Sequence, residues 1–124
     1  MKLIPIFLSA LLIISCSTVA PPSAGRSLAD NKLSLDILKQ LDRIERAYAL
    51  YAKDAPGANG ASNMRGAKVV DRKVTSKPDS KGVWKEDWTV LRDAGYAIYT
   101  VTYIPTPGIG GTDFGIKAPP RLTN

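Results

Sequence analysis

The order of patterns along this chain predicts an α+β domain: one N-terminal amphipathic helix packed on an antiparallel meander of three or four strands. Two observations predict it. Residues 33–53 place apolar side chains at helical spacing, and from Lys68 onward the apolar residues alternate and are rich in Trp, Tyr, Val, Ile and Thr. The length bounds it: 124 residues are too few to split into several hydrophobic cores.

The helix is predicted over Leu33–Lys53. Leu33, Ile37, Leu41, Ile44, Tyr48 and Tyr51 form one stripe, widened by Leu38 and Ala52. Asp36, Lys39, Asp42, Arg43, Glu45, Arg46 and Lys53 lie mainly off it. Asn31 or Ser34 is available as the N-terminal cap, and Asp54-Ala55-Pro56-Gly57 stops the helix. The stripe covers barely three heptads, which favours packing on the chain's own sheet over a coiled-coil seam. Tyr48 and Tyr51 are then core residues with a polar tip at the edge. Residues 55–66 read as a loop, either functional or disordered.

Strands are predicted over Ala67–Thr75, Val83–Arg92, Tyr96–Ile104 and Thr112–Lys117, with an irregular tail from Ala118 to Asn124. Pro78-Asp79-Ser80-Lys81-Gly82 turns the first strand into the second. With Ala94-Gly95 as a two-residue hairpin loop, Val90 faces Tyr99, Trp88 faces Val101 and Glu86 faces Tyr103. One face then carries Trp84, Glu86, Trp88, Val90, Ala97, Tyr99, Val101 and Tyr103, the natural partner of the helix stripe. The other carries Lys85, Asp87, Thr89, Leu91, Ile98, Thr100 and Thr102. A slip of one residue would mix the two sets, so the sorting requires an even-length loop.

Ahead of this domain lies a different kind of sequence. Met1–Ser15 has one positive charge, Lys2, and then an apolar run, Leu3–Ile14, that ends in Ile13-Ile14-Ser15-Cys16. The run falls short of the roughly 20 residues that span a bilayer. The tetrapeptide resembles the lipobox of bacterial lipoprotein signal peptides. That resemblance implies cleavage before Cys16, lipidation of Cys16 and attachment of the protein to a membrane through its N-terminal lipid. Ser17 after the cysteine implies the outer membrane, facing the periplasm, over retention at the inner membrane. Cleavage after Ala20 as a plain secretory signal is the competing reading. The expected organisation is thus a signal peptide (1–15), a lipidated N-terminus with a Pro- and Gly-containing flexible tether (16–32), and the α+β domain (33–124).

Composition narrows the chemistry. The sequence has no histidine, and Cys16 is its single cysteine. Zinc sites built on Cys and His, thiol nucleophiles and Ser-His-Asp triads are therefore excluded from the mature domain. No spaced aspartate run suggests a calcium loop. No catalytic residue, metal ligand or cofactor is expected.

Arg65, Lys68, Arg72, Lys73, Lys77, Lys81 and Lys85 fall within one segment, against only Asp71 and Asp79. That excess accounts for the whole net charge of +6 except Lys2 in the leader. As a surface it would attract an anionic envelope glycan or an acidic protein. Nucleic acid also fits the charge, but it is not a partner such a protein meets. The competing reading is a solvated edge strand whose lysines block edge-to-edge pairing. Three other features are weaker. Pro107–Thr112 is glycine-rich but lacks the following helix and the lysine that a phosphate cradle needs. Trp84, Trp88, Tyr99 and Tyr103 suit a core better than a sugar platform. Glu86, set among aromatics, needs a partner such as Arg92 or a helix arginine; lining a cleft, it would be the best acid candidate.

The expected function is that of a non-catalytic envelope lipoprotein acting by binding, as an adaptor or accessory subunit. Two alternatives share the same features: an inhibitor, immunity or exclusion lipoprotein directed at a toxin, lytic enzyme or phage component, and a carboxylate-dependent envelope enzyme.

Overall fold

In a computed structural model of the protein, residues 27–61, 66–106, 108 and 110–124 are described. They form one helix, α1 (Asn31–Leu50), and five strands: β1 (Val69–Ser76), β2 (Trp84–Arg92), β3 (Gly95–Pro105), β4 (Thr112–Ile116) and β5 (Arg121–Thr123). All pairings are antiparallel, in the order β1-β2-β3-β4, and β5 also pairs with β3. The class is α+β, with five strands in the sheet.

The helix starts earlier than its apolar pattern. Asp30 is the N-cap, its Oδ1 accepting from the Leu33 N–H at 2.8 Å. Ser34 cannot serve as the cap because it is turned inward, accepting from Arg72 Nη1 at 3.0 Å. The residues that α1 buries are Ser34, Ile37, Leu41, Glu45 and Ala49. At 100° per residue, the centre of this line lies about 70° round the helix from the centre of the predicted stripe, with which it shares Ile37 and Leu41. Leu33, Leu38 and Ile44 still pack on the core from its margin. Tyr51 does not; it is 86% exposed.

Strands β2 and β3 supply most of the core. Trp84, Trp88, Val90, Ala97, Tyr99, Val101 and Tyr103 cluster with Ile37 and Leu41 of the helix. Alternation puts all of them on the helix side, and the aromatic quartet is core rather than an open platform. Trp84 and Tyr103, directly opposite each other, stack with centroids 4.4 Å apart and planes 6° from parallel. The other face carries Thr89, Leu91, Ile98, Thr100 and Thr102, all half-buried, with Lys73 and Lys85 exposed.

The hairpin register differs from the expected one by two residues. Asp93-Ala94 is the loop, and the facing pairs are Val90 with Ala97, Trp88 with Tyr99, Glu86 with Val101 and Trp84 with Tyr103. A shift of two preserves both faces. Gly95 opens β3 instead of closing the turn, at φ 140°. A Cβ there would lie 2.2 Å from the Thr123 carbonyl oxygen. The glycine is required by the close approach of the chain at the end of β5.

That strand also corrects the expectation of an irregular tail. Ala97 faces Leu122 and Ile98 faces Arg121, so the far edge of β3 is shared by β5 at one end and β4 at the other. Residues 55–61 pack against this region. A Cβ on Gly57 would strike Pro119 and Pro120 at 2.7 Å, and Ala58 is buried.

Candidate functional site

Two buried carboxylates organise the interior. Alternation along β2 sets Glu86 between Trp84 and Trp88 on the core face. Both indoles donate to it, Trp84 Nε1 to Oε1 at 3.3 Å and Trp88 Nε1 to Oε2 at 3.1 Å. Tyr103 donates its hydroxyl to Oε2 at 2.8 Å. The remaining donors come from the residues just before the helix. Ser27 Oγ lies 2.9 Å from Oε2, and the Leu28 N–H reaches Oε1 at 2.7 Å. Glu86 is 0% exposed. Its carboxylate is committed to holding Ser27 and Leu28 on the sheet, and it lines no cleft. Burial first, and then the Glu86 charge, hold the Tyr103 hydroxyl well above its ordinary value.

Arg92 is not the partner of Glu86. It reaches Glu45, with Nη2 2.7 Å from Oε1 and Nε 3.1 Å from Oε2, a two-pronged pair with both side chains buried. Tyr99 donates its hydroxyl to Glu45 Oε1. Arg92 Nη1 donates to the carbonyls of Gly57 and Asn59, and its guanidinium lies 5.6 Å from the Tyr48 ring centroid. One arginine thus joins helix, hairpin and the 55–61 loop. Burial alone would lower the Arg92 pKa; the hydrogen bond and charge of Glu45 outweigh it, and the value is raised. Tyr99 is pushed up by burial first and by Glu45 second. Chain periodicity contained this pair. Ile37, Leu41, Glu45 and Ala49 are spaced by four, and Arg92 follows Val90 by two.

The basic segment does not form one surface. Arg72 faces Trp88 across β1 and β2 and is buried, with its guanidinium carbon 5.0 Å from the Trp88 ring centroid. It therefore drops out of the expected anionic-partner site: inward alternation along β1 gives it a place in the core. Lys68, Lys73, Lys77, Lys81 and Lys85 are exposed. Lys68 precedes β1, near the β2 residue Leu91, whose N–H donates to the Lys68 carbonyl. Lys77 and Lys81 sit in the turn at the other end, and Lys73 and Lys85 are on the outer face close to that turn. Asp79 orders the turn by accepting from the N–H groups of Lys81 and Val83. Cys16 and Arg65 lie outside the described residues, as do Pro107 and Ile109 of the glycine-rich segment.

Shallow grooves lie at both ends of the helix. One, of about 390 Å³, runs between Asp30, Lys32 and Asp36 of the helix start and Gly110, Thr112 and Asp113. The other, about 410 Å³, lies at the helix end between Tyr48, Lys53, Asn59 and Gly60. Among the described residues no three acidic side chains are placed to hold a metal ion. Comparison with family models, curated proteins and solved structures returned no match.

Proposed function

We propose that the chain is the precursor of a small lipid-anchored protein of the cell envelope, held in the outer membrane by Cys16 and facing the periplasm. Its domain acts by binding, as an adaptor or accessory subunit, and not by catalysis. The observation that carries this reading is the Ile13-Ile14-Ser15-Cys16 sequence closing a short apolar run. Within the expected tether of residues 16–32, Ser27 and Leu28 are tied to Glu86 on the sheet. The binding role is supported by the absence of histidine from the sequence and by the commitment of Glu86 and Glu45 to internal hydrogen bonds.

Cys16→Ser tests the anchor. The variant is expected to leave the membrane fraction and to lose incorporation of labelled palmitate, while its domain keeps the folded circular-dichroism spectrum. A variant that still incorporated palmitate would overturn the assignment. The binding role is read by affinity capture from envelope extracts: no enrichment of any protein or glycan over a charge-matched control counts against it.

A further inference from the structure

The point where the tether meets the fold and the exposed lysines of the β1–β2 turn lie at the same end of the domain. Ser27 and Leu28 are tied to Glu86, the third residue of β2. Residues 77–83 deliver the chain into that strand, carrying Lys77 and Lys81, and Gly82 comes within 3.1 Å of Pro105 at the end of β3 when a Cβ is placed on it. Lys85 follows on the outer face, and Lys73 stands opposite Asp87 on the same face. The Asp93-Ala94 turn and Asn59 are at the far end, by Arg92.

The geometry points to this lysine corner as a surface that meets anionic phospholipid headgroups of the bilayer holding residue 16; the inference rests on the anchored reading above. Reach permits it. From Cys16 to Ser27 the chain spans about 40 Å fully extended and about 20 Å as a flexible coil. Attraction between lysines and an anionic surface acts within a Debye length, about 8 Å at physiological salt, so the corner engages when the domain lies down on the membrane. The acidic groups at this end set the tilt. Asp79 is turned into its own loop, and Asp87 is held by Arg121 and by the Thr100 hydroxyl at 2.9 Å. Asp30, Asp36 and Asp113 flank the groove at the helix start. The lysine corner faces the lipid and this groove turns away.

Acylated Cys16 leaves no other native cysteine, so a fluorophore goes on at Ser80→Cys, in the basic turn, or at Ala94→Cys, at the far end. The lipidated protein is reconstituted in phosphatidylcholine vesicles with or without phosphatidylglycerol, and a headgroup-bound quencher reads proximity. Quenching at Ser80 is expected to exceed that at Ala94 several-fold in anionic vesicles. The excess should shrink in zwitterionic vesicles, at high salt, and when Lys77→Glu and Lys81→Glu are combined. An excess independent of lipid charge, or unchanged by the charge reversal, overturns the inference. So does a Ser80 label that responds to purified cell-wall polymer but not to anionic lipid. The anchor is read separately by Cys16→Ser fractionation, because the lysine variants are expected to stay in the membrane fraction.

Discussion

The partners of Arg92 come from three different parts of the chain. Glu45 comes from the helix, Tyr99 from β3, and the Gly57 and Asn59 carbonyls from the loop between helix and sheet. A buried guanidinium with its carboxylate partner is expensive to break on one side, since the survivor is left charged and desolvated. Arg92→Ala is therefore expected to destabilise the domain by about 3–5 kcal/mol, read as a lower urea midpoint at unchanged slope. A loss under about 1 kcal/mol, the worth of an exposed pair, would show that water reaches Glu45. Arg72 is the contrasting case. It occupies a core position on β1, yet it stands among lysines in the sequence, and charge counting grouped it with them.

Strands and helix were legible because their signals are local: period two from Trp84 to Ile104, and spacings of three and four from Leu33 to Tyr48. The face assignment survived for the same reason. What escaped depended on contacts between distant residues. The inward line of α1 includes Ser34 and Glu45, whose partners Arg72 and Arg92 lie 38 and 47 residues away, beyond the reach of a local apolar pattern. The hairpin loop fell at Asp93-Ala94 because Gly95 was needed beside Thr123, and nothing near Gly95 announces β5. Ser27 looked like tether and proved to be part of the fold, since its partner lies on β2. Gly95→Ala tests this account of the hairpin. The added methyl meets the Thr123 carbonyl and the backbone is held at positive φ, so a loss of about 1–3 kcal/mol is expected. Amide exchange should show the loss first at Tyr96, Ile98 and the β5 residues. Uniform protection along β3 would mean that β5 moves aside without cost.

At the scale of the whole molecule, the two buried carboxylate clusters give the stability a particular pH dependence. Tyr99 and Tyr103 have hydroxyls raised above the ordinary value of 10.0, by burial and by Glu45 and Glu86 respectively. The folded state keeps both protons where the unfolded chain has lost them. Their contribution is therefore complete below about pH 10 and declines as pH rises beyond it. Urea midpoints should fall on the alkaline side, less steeply in Tyr99→Phe and in Tyr103→Phe. Tyrosinate absorbance from these two rings should appear only with unfolding. Ionisation of either ring in the still-folded protein would contradict the assignment.

The bonds from Ser27 and Leu28 to Glu86 also decide how the domain meets mechanical load. A pull on the chain ahead of Ser27 is received by a carboxylate on the sheet's helix-side face near the β1–β2 turn, where both indoles and a tyrosine brace it. Tension reaches the first turn of α1 only after both contacts have parted. Glu86 works as the strain relief on a cable: the cord can be tugged from any direction while the helix behind it stays wound.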